Sequence, residues 1–245
     1  MNVDDNGNPS SATEAFSGSA ALSGDGRYVA FDSEAPDLVA GDTNSTYDLF
    51  VRDTQAGTTS LVSVDDNGSQ ANGGSDKPSV SADGRYIVFE SNATNLVAGD
   101  TNGVQDIFVR DTVAGTTTLV SVASAGTQSN GPSFNPAISG DGRYITFRTS
   151  ATNLVAGDTN GMADVFVRDT VSGTTTRVSV GPAGQQGDSH STHPSISADG
   201  TRIAFATAST WFGPPIHQHA YVHDTTTGTT TRVSTDLLGN PGNAR

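Results

Sequence analysis

Short stretches of alternating apolar and polar residues, separated by Gly, Asp and Asn, run along most of the chain. In one complete copy of this pattern they predict strand A at Pro78–Ser81, strand B at Tyr86–Glu90, strand C at Asp106–Arg110 and strand D at Thr116–Val122. Alternation with a period of two and enrichment in Val, Ile, Thr and Phe are typical of β-strands. Asp83 and Gly84 form a hairpin signal between strands A and B, because Gly adopts positive φ without steric strain.

The four-strand pattern repeats along the chain. A Ser-x-Asp-Gly turn starts at Ser23, Ser81, Ser139 and Ser197, which lie 58 residues apart. A second motif, Val-x-Asp-Thr, starts at Val51, Val109, Val167 and Val222, so the fourth repeat is three residues shorter between the two motifs. Tandem four-stranded units predict an all-β fold, a β-propeller of four four-stranded antiparallel blades. We expect a single propeller domain over residues 1–245, with blades at about 18–64, 77–122, 135–180 and 193–235.

The repeat resembles that of TolB-like β-propellers, whose motif is Ser-x-Asp-Gly-x-x-apolar-apolar-Phe, often preceded by Pro. The motif occurs at Ser81–Phe89 and at Ser197–Phe205. The resemblance covers about Ala20 to Ser234. It implies the fold and not a function, because propellers include enzymes, binding modules and scaffolds. The chain departs from the family in its long B–C loops and in its four repeats, since members more often have about six or seven.

The loop between strands B and C, residues 91–105 in the second repeat, carries a motif rich in oxygen ligands. In three repeats Gly-Asp-Thr-Asn leads to a further Asp at the start of strand C. The predicted calcium ligands are Asp42, Asn44, Asp48, Asp100, Asn102, Asp106, Asp158, Asn160 and Asp164. Calcium takes about six to eight oxygen ligands, so we expect calcium as a cofactor at these loops. The motif resembles the Asp-x-Asn-Gly loops that bind calcium in other propellers, such as integrin-type repeats.

An alternative explanation of these loops needs no metal. Asp and Asn form Asx-turns with their own backbone, and Asp before a strand can cap a turn. In the first repeat Ser45 stands where the next two repeats have Gly103 and Gly161. A non-Gly residue at positive φ is disfavoured, so we expect the first site to be weaker. The fourth repeat lacks the motif.

All five histidines lie in the fourth repeat. We expect His190, His193, His217 and His219 on one face of this blade, with His223 at the far end of strand C. Imidazoles on one rim are candidate ligands for zinc, manganese or copper, and candidate catalytic groups. Among TolB-like propellers, oligogalacturonate lyases bind a catalytic divalent metal through histidines on such a face, so the resemblance implies an enzyme as one alternative. The other alternative is that these are solvent-exposed loop residues without a metal.

Composition narrows the classes of partner. Lys and Arg number 12 and Asp and Glu number 26, so the net charge is −14. Such an acidic chain repels nucleic acid and anionic membranes and attracts cations. The chain has no Cys, which excludes disulfides and thiolate metal sites. No apolar run approaches the length of a membrane span, so we expect no membrane insertion. The negative charge leads us to expect no nucleic-acid partner.

These observations predict an extracellular or cell-surface, secreted propeller that calcium stabilises and that acts as a structural or recognition module, with a protein or carbohydrate ligand. Loop sites of modest affinity suit an extracellular setting, where calcium is millimolar. The alternative is a divalent-metal-dependent polysaccharide lyase or hydrolase that uses the histidine face. No strand is left over to lock a ring. We favour a closed monomeric ring, with self-association or contact with neighbouring blades as the alternative.

Overall fold

The structure is a computed structural model, and it describes residues 4, 7, 8, 10, 16–44, 46–212 and 218–235. Blade 1 contains β1 (Ser17–Leu22), β2 (Tyr28–Ser33), β3 (Asp48–Asp53) and β4 (Thr58–Leu61). Blade 2 contains β5 (Ser75–Val80), β6 (Tyr86–Ser91), β7 (Asp106–Asp111) and β8 (Thr116–Leu119). Blade 3 contains β9 (Ser133–Ile138), β10 (Tyr144–Thr149), β11 (Asp164–Asp169) and β12 (Thr174–Arg177). Blade 4 contains β13 (Ser191–Ile196), β14 (Arg202–Thr207), β15 (His219–Asp224) and β16 (Thr229–Arg232).

Each blade is a four-stranded antiparallel sheet whose strands follow chain order, which confirms the predicted all-β propeller architecture. One turn of 3₁₀ helix, Thr210–Phe212, is the only helical element in the described ranges. Within those ranges no helix is long and apolar enough to cross a membrane.

Two strand boundaries differ from the sequence prediction, and both differences have local causes. Strand A of blade 2 begins at Ser75, ahead of Pro78, because a β-bulge accommodates the proline. Lys77 in this bulge has a left-handed φ of 53°. Strand D ends at Leu119, before Val122, because the Ser121 hydroxyl and not a backbone carbonyl accepts the Ile107 N–H, at 3.1 Å.

The hydrophobic core lies largely between neighbouring blades. One cluster joins Val88 and Val120 of blade 2 to Ile138 and Ile145 of blade 3, and equivalent clusters join blades 1 and 2 and blades 3 and 4. The innermost strands β1, β5, β9 and β13 contact one another in this order. Burial of this kind provides most of the driving force for folding, so each blade depends on its neighbours.

The four blades form an open arc. Leu22 of blade 1 is 59% exposed, whereas its equivalent Ile138 in blade 3 is 7% exposed. At the other end Val233 of blade 4 is 51% exposed, whereas its equivalent Val120 is 2% exposed. A closed ring would bury both residues against each other's blade, so among the described residues blades 1 and 4 do not pack together and the expected ring is not closed. The oligomeric state stays a prediction.

Candidate functional site

Each Asp-Asn loop is held by a glutamine from the connector to the next blade. The connectors are residues 62–74, 120–132 and 178–190, and they carry Gln70, Gln128 and Gln186 at equivalent positions. Gln128 Oε1 accepts hydrogen bonds from Thr101 N at 3.2 Å and from Thr101 Oγ1 at 3.4 Å. The B–C loops and the connectors therefore lie on the same face of the arc, as the sequence led us to expect.

In blade 2 the three predicted ligands and Gln128 form one hydrogen-bonded group. Gln128 Nε2 donates to Asp100 Oδ1 at 2.7 Å and to Asp106 Oδ2 at 3.5 Å. Asn102 Nδ2 donates to Asp106 Oδ2 at 2.7 Å, and Asn102 Oδ1 accepts from Val104 N at 3.0 Å. Asp106 is fully buried and Asp100 is 9% exposed. Asp100 Oδ2 is buried and has no hydrogen-bond partner among the described residues.

The loop of blade 1 is arranged in the same way. Gln70 Nε2 lies 2.7 Å from Asp42 Oδ1 and 2.8 Å from Asp48 Oδ2, so one amide nitrogen bridges two carboxylates. Asn44 Nδ2 donates to Ala71 O of the connector at 3.0 Å. The predicted set therefore comes together in this loop, with both carboxylates already hydrogen-bonded to an amide.

The turn between the ligands behaves as expected where the structure describes it. Gly103 and Gly161 have φ values of 65° and 66°, a conformation that side chains rarely adopt. Ser45, the residue on which the weaker first site was predicted, lies outside the described residues. The prediction about the first site therefore stays a prediction.

In blade 3 an arginine joins the carboxylates. Arg177 Nη1 lies 3.4 Å from Asp158 Oδ1 and 3.6 Å from Asp164 Oδ2, and its side chain is 12% exposed. The equivalent residues of blades 1 and 2 are Leu61 and Leu119. The third carboxylate pair thus has a positive charge from the protein itself, which the first two pairs lack.

Burial disfavours the charged form of these carboxylates. Burial raises the pKa of Asp106 to about 6, and the neighbouring Asp100 adds to the shift. Burial also raises the pKa of Asp48. For Asp158, burial raises the pKa while Arg177 opposes the shift. Negative charge is therefore least compensated in the first two loops.

The first two loops supply two carboxylates and further amide oxygens, which is the ligand chemistry that calcium prefers. Calcium lies about 2.3–2.6 Å from its oxygen ligands, and in blade 1 Gln70 Nε2 sits at 2.7 and 2.8 Å from two carboxylate oxygens. Further oxygens are available on the amides, but Asn102 Oδ1 and Gln128 Oε1 now accept backbone N–H groups. An ion must therefore turn the amides and displace these hydrogen bonds. In blade 3 the guanidinium of Arg177 makes the fit poor.

Two histidines of the fourth repeat make hydrogen bonds, one to blade 3 and one within blade 4. His190 Nδ1 accepts a hydrogen bond from Ala163 N at 2.8 Å, so it holds the end of the B–C loop of blade 3. His219 Nδ1 lies 3.2 Å from Ser234 Oγ, at the position where Ser179 Oγ donates to Asp164 in blade 3. His219 therefore replaces the buried carboxylate of this serine pair.

The other histidines do not complete a cluster within the part of the chain that the structure describes. His193 is in the bulge of β13 with a φ of 53°, and its Nδ1 lies 3.0 Å from Thr192 Oγ1. His217 lies outside the described residues. His223 is 6% exposed, and burial lowers its pKa. In those same residues no group of three His, Asp or Glu side chains is placed to hold a metal ion.

Grooves between neighbouring blades are the main concave features at the opposite end of the strands. They have volumes of about 320, 240 and 220 Å³ and are lined by Tyr28, Tyr86 and Tyr144, respectively. Ligand pockets are usually about 300–1,000 Å³. The first groove only reaches the lower end of this range and the other two lie below it. Because the three grooves recur at each blade junction, they result from blade packing.

Sequence reasoning missed the residues that decide the charge of the loops. Gln70, Gln128 and Gln186 recur 58 residues apart, and this spacing was the available signal. Arg177 was also detectable, because the equivalent residues of the two preceding repeats are leucines.

Comparisons with known proteins agree with the fold. No model of a protein family matches the chain, and no curated protein matches it. TolB from Acinetobacter baumannii superposes with a TM-score of 0.55 at 19% identity over 91% of this chain and 44% of that chain. An oligogalacturonate lyase in complex with manganese gives 0.56 at 12% identity over 89% and 53%, and the tricorn protease gives 0.56 at 12% over 88% and 22%. The chain thus spans about half or less of these structures, and the likeness shows a TolB-like β-propeller fold.

Proposed function

We propose that the chain is a calcium-stabilised propeller module with a structural or recognition role and without catalysis. The observation that carries the proposal is the buried pair Asp100 and Asp106, which among the described residues is bridged by the neutral amide nitrogen of Gln128 and by no cation. Asp100 Oδ2 has no hydrogen-bond partner among the described residues. A divalent ion between the carboxylates would offset the charge that burial penalises.

Of the three loops, we propose that the second binds best. Its carboxylates are more buried than Asp42 of the first loop, which is only partly buried. The third loop has Arg177 beside both carboxylates, and a divalent ion there would face a like charge. The sequence motif alone predicts equal calcium affinity for the second and third loops, and the two loops differ here because of Arg177.

The proposed location is extracellular or at the cell surface, as a secreted protein. An ion that must displace amide hydrogen bonds binds with modest affinity, and such sites fill only where calcium is millimolar. The proposed ligand of the recognition role is a protein or a carbohydrate.

The alternative, a divalent-metal-dependent polysaccharide lyase or hydrolase, has less support. It rests on the histidine-rich blade and on a likeness in fold to the manganese-bound lyase at 12% identity. His219 is hydrogen-bonded to Ser234, which replaces a serine–carboxylate contact of the repeat, and His190 accepts a hydrogen bond from Ala163 N.

Elemental analysis and thermal unfolding test the proposal together. We expect the protein equilibrated with millimolar calcium to hold calcium, and excess EGTA to lower its melting temperature. An ion at about ten times its Kd stabilises by about 1.4 kcal/mol, or roughly 3–6 °C for a chain of this size. Asp100→Asn should abolish the calcium effect, whereas the matched variant Asp158→Asn should preserve it.

Two results would overturn the proposal. One is a protein that holds no calcium and melts at the same temperature with calcium or EGTA. The other is manganese or zinc binding that His219→Ala abolishes, which would favour the enzymatic alternative.

A further inference from the structure

The end blades expose the faces that the internal blades bury. We call the side of a blade that faces the preceding blade its leading face and the side that faces the next blade its trailing face. On the leading face of blade 1, Leu22 is 59% exposed and Val29 is partly exposed, whereas Ile87, which is equivalent to Val29, is fully buried. On the trailing face of blade 4, Val233 is 51% exposed, whereas Val178 is 1% exposed. Among the described residues, the leading face of blade 1 and the trailing face of blade 4 therefore have no neighbouring blade.

The chain itself shows how a trailing face receives a leading face. Val88 and Val120 on the trailing face of blade 2 pack with Ile138 and Ile145 on the leading face of blade 3. This junction occurs three times, and each time the turn between strands A and B of the later blade lies against the earlier blade. The turn glycines Gly84, Gly142 and Gly200 lie so close to the rings of Tyr28, Tyr86 and Tyr144 that a Cβ would clash with the ring.

A line of backbone hydrogen bonds gives the arc a direction. Gly24 N donates to Ala82 O at 3.0 Å, Ala82 N donates to Gly140 O at 2.8 Å, and Gly140 N donates to Ala198 O at 2.8 Å. In the described residues no backbone group continues this line beyond the Gly24 carbonyl or the Ala198 N–H. One end thus offers an acceptor and the other a donor, which are complementary.

The trailing face of blade 4 carries a charged residue at the position of the tyrosines. Arg202 stands where Tyr28, Tyr86 and Tyr144 stand in the other blades. Its side chain is 50% exposed, and its Nη1 pairs with Asp224 Oδ1 of the same blade at 3.0 Å. An incoming leading face would bring the turn that contains Gly26 against this position, as Gly84 lies against Tyr28.

We propose that a second copy of this chain docks its leading face, at Leu22 and Val29, onto the trailing face at Val233 and Arg202. The contact continues the internal blade junction from one copy to the next. Blade 1 has the same hydrogen bond to the segment before it as blade 2 has. Arg52 Nη1 donates to Asp4 O at 2.8 Å, and Arg110 Nη1 of blade 2 donates to the equivalent Asp65 O. Ala220 replaces the fully buried Val165 on the trailing face, so the contact is smaller than an internal junction and dissociates on dilution.

Light scattering coupled to size exclusion tests the proposal over a wide range of concentration. We expect the mass to rise from 25.0 kDa to at least about twice this value as concentration increases. Leu22→Asp and Val233→Asp should each keep the protein at the monomer mass. The matched control is Val113→Asp, because Val113 is 76% exposed on a hairpin away from both faces, and it should associate like the unaltered chain.

A mixing experiment separates head-to-tail docking from other modes. Leu22→Asp keeps an intact trailing face and Val233→Asp keeps an intact leading face, so the two variants should form a mixed dimer although neither associates alone. A concentration-independent monomer mass for the unaltered chain would overturn the proposal. Association that Leu22→Asp abolishes and Val233→Asp leaves unchanged would also overturn it, because that pattern belongs to contact between two leading faces.

Discussion

Blades 2 and 3 share a backbone, a loop motif and a spacing, yet they differ in how buried charge is compensated. In blade 2 burial raises the pKa of Asp106 to about 6 and that of Glu90 to about 7. In blade 3 the residues equivalent to Leu119 and Glu90 of blade 2 are Arg177 and Arg148. The comparison teaches that the motif determines the geometry of the loop, while side chains on the neighbouring strands determine whether it keeps a negative charge.

The largest effect should come from removing the arginine of blade 3. Arg177→Leu leaves Asp158 and Asp164 buried without their cation, so we expect the chelated protein to lose about 3 kcal/mol of unfolding free energy. Calcium should restore part of this loss, because loop 3 then resembles loop 2. Chemical denaturation with EGTA and with calcium measures both effects.

Arg232→Leu is the matched control for this substitution, since Arg232 has the same strand position in blade 4, where the loop carboxylates are missing. Its destabilisation should not respond to calcium. Equal sensitivity of the Arg177→Leu variant and the unaltered protein to EGTA would contradict the comparison.

The second effect concerns pH and Glu90 on strand β6 of blade 2. Burial raises the pKa of Glu90 from 4.5 to about 7, and the neighbouring Asp76 contributes. The folded state therefore holds this proton more tightly than the unfolded state. Binding of this proton therefore stabilises the folded state fully below pH 4.5. The stabilisation, about 3 kcal/mol at most, is lost as the pH rises through about 7.

Glu90→Gln isolates this contribution, because its side-chain oxygen can still accept the 2.8 Å hydrogen bond from Asn135 N. The difference in unfolding free energy between the variant and the unaltered protein should grow in favour of the variant between pH 4.5 and 7. A difference that does not change with pH would show that Glu90 is charged in the folded state throughout.

A smaller effect should follow from giving blade 2 the arginine of blade 3. Leu119→Arg places a guanidinium near Asp100 and Asp106, so we expect about 1 kcal/mol of stabilisation in EGTA and a reduced response to calcium. Leu119→Met changes the shape of the side chain without adding charge, and it should keep the full calcium response. An unchanged calcium response in Leu119→Arg would place the ion elsewhere.

The smallest effect should be the same in both blades. Arg85 pairs with Asp111 and Arg143 pairs with Asp169, each at 2.7 Å, and the two arginine side chains are 41% and 40% exposed. Replacement of either arginine by Ala should lower the unfolding free energy only slightly, because ion pairs of exposed side chains are screened by solvent. Unequal losses would mean that the two blades differ outside their buried carboxylates.

The sequence was sufficient to predict four four-stranded antiparallel blades, because the 58-residue repeat and the alternation of apolar and polar residues both indicate this architecture. The boundaries of strands A and D were less predictable, since they depend on the bulge at Lys77 and on the Ser121 side chain. The gathering of the loop residues was predictable from spacing. The role of Gln128 was not predicted, because it lies in the connector and meets Asp100 only through the fold.

The open arc could not be predicted from the repeat alone. Four equivalent motifs are compatible with a ring or with an arc, and the outcome depends on small rotations at each junction. Leu22 and Val233 have the sequence pattern of core residues, and among the described residues no neighbouring blade covers them.

The open arc also has a consequence for hydrogen exchange. Blades 2 and 3 each bury two faces, whereas blades 1 and 4 each bury one, so opening events should begin at the two ends. Amide protons in β6 and β10, strand B of the inner blades, should therefore exchange more slowly than those in the equivalent strands β2 and β14. Protection would then rise from each end of the arc towards the Ile138 junction at its centre.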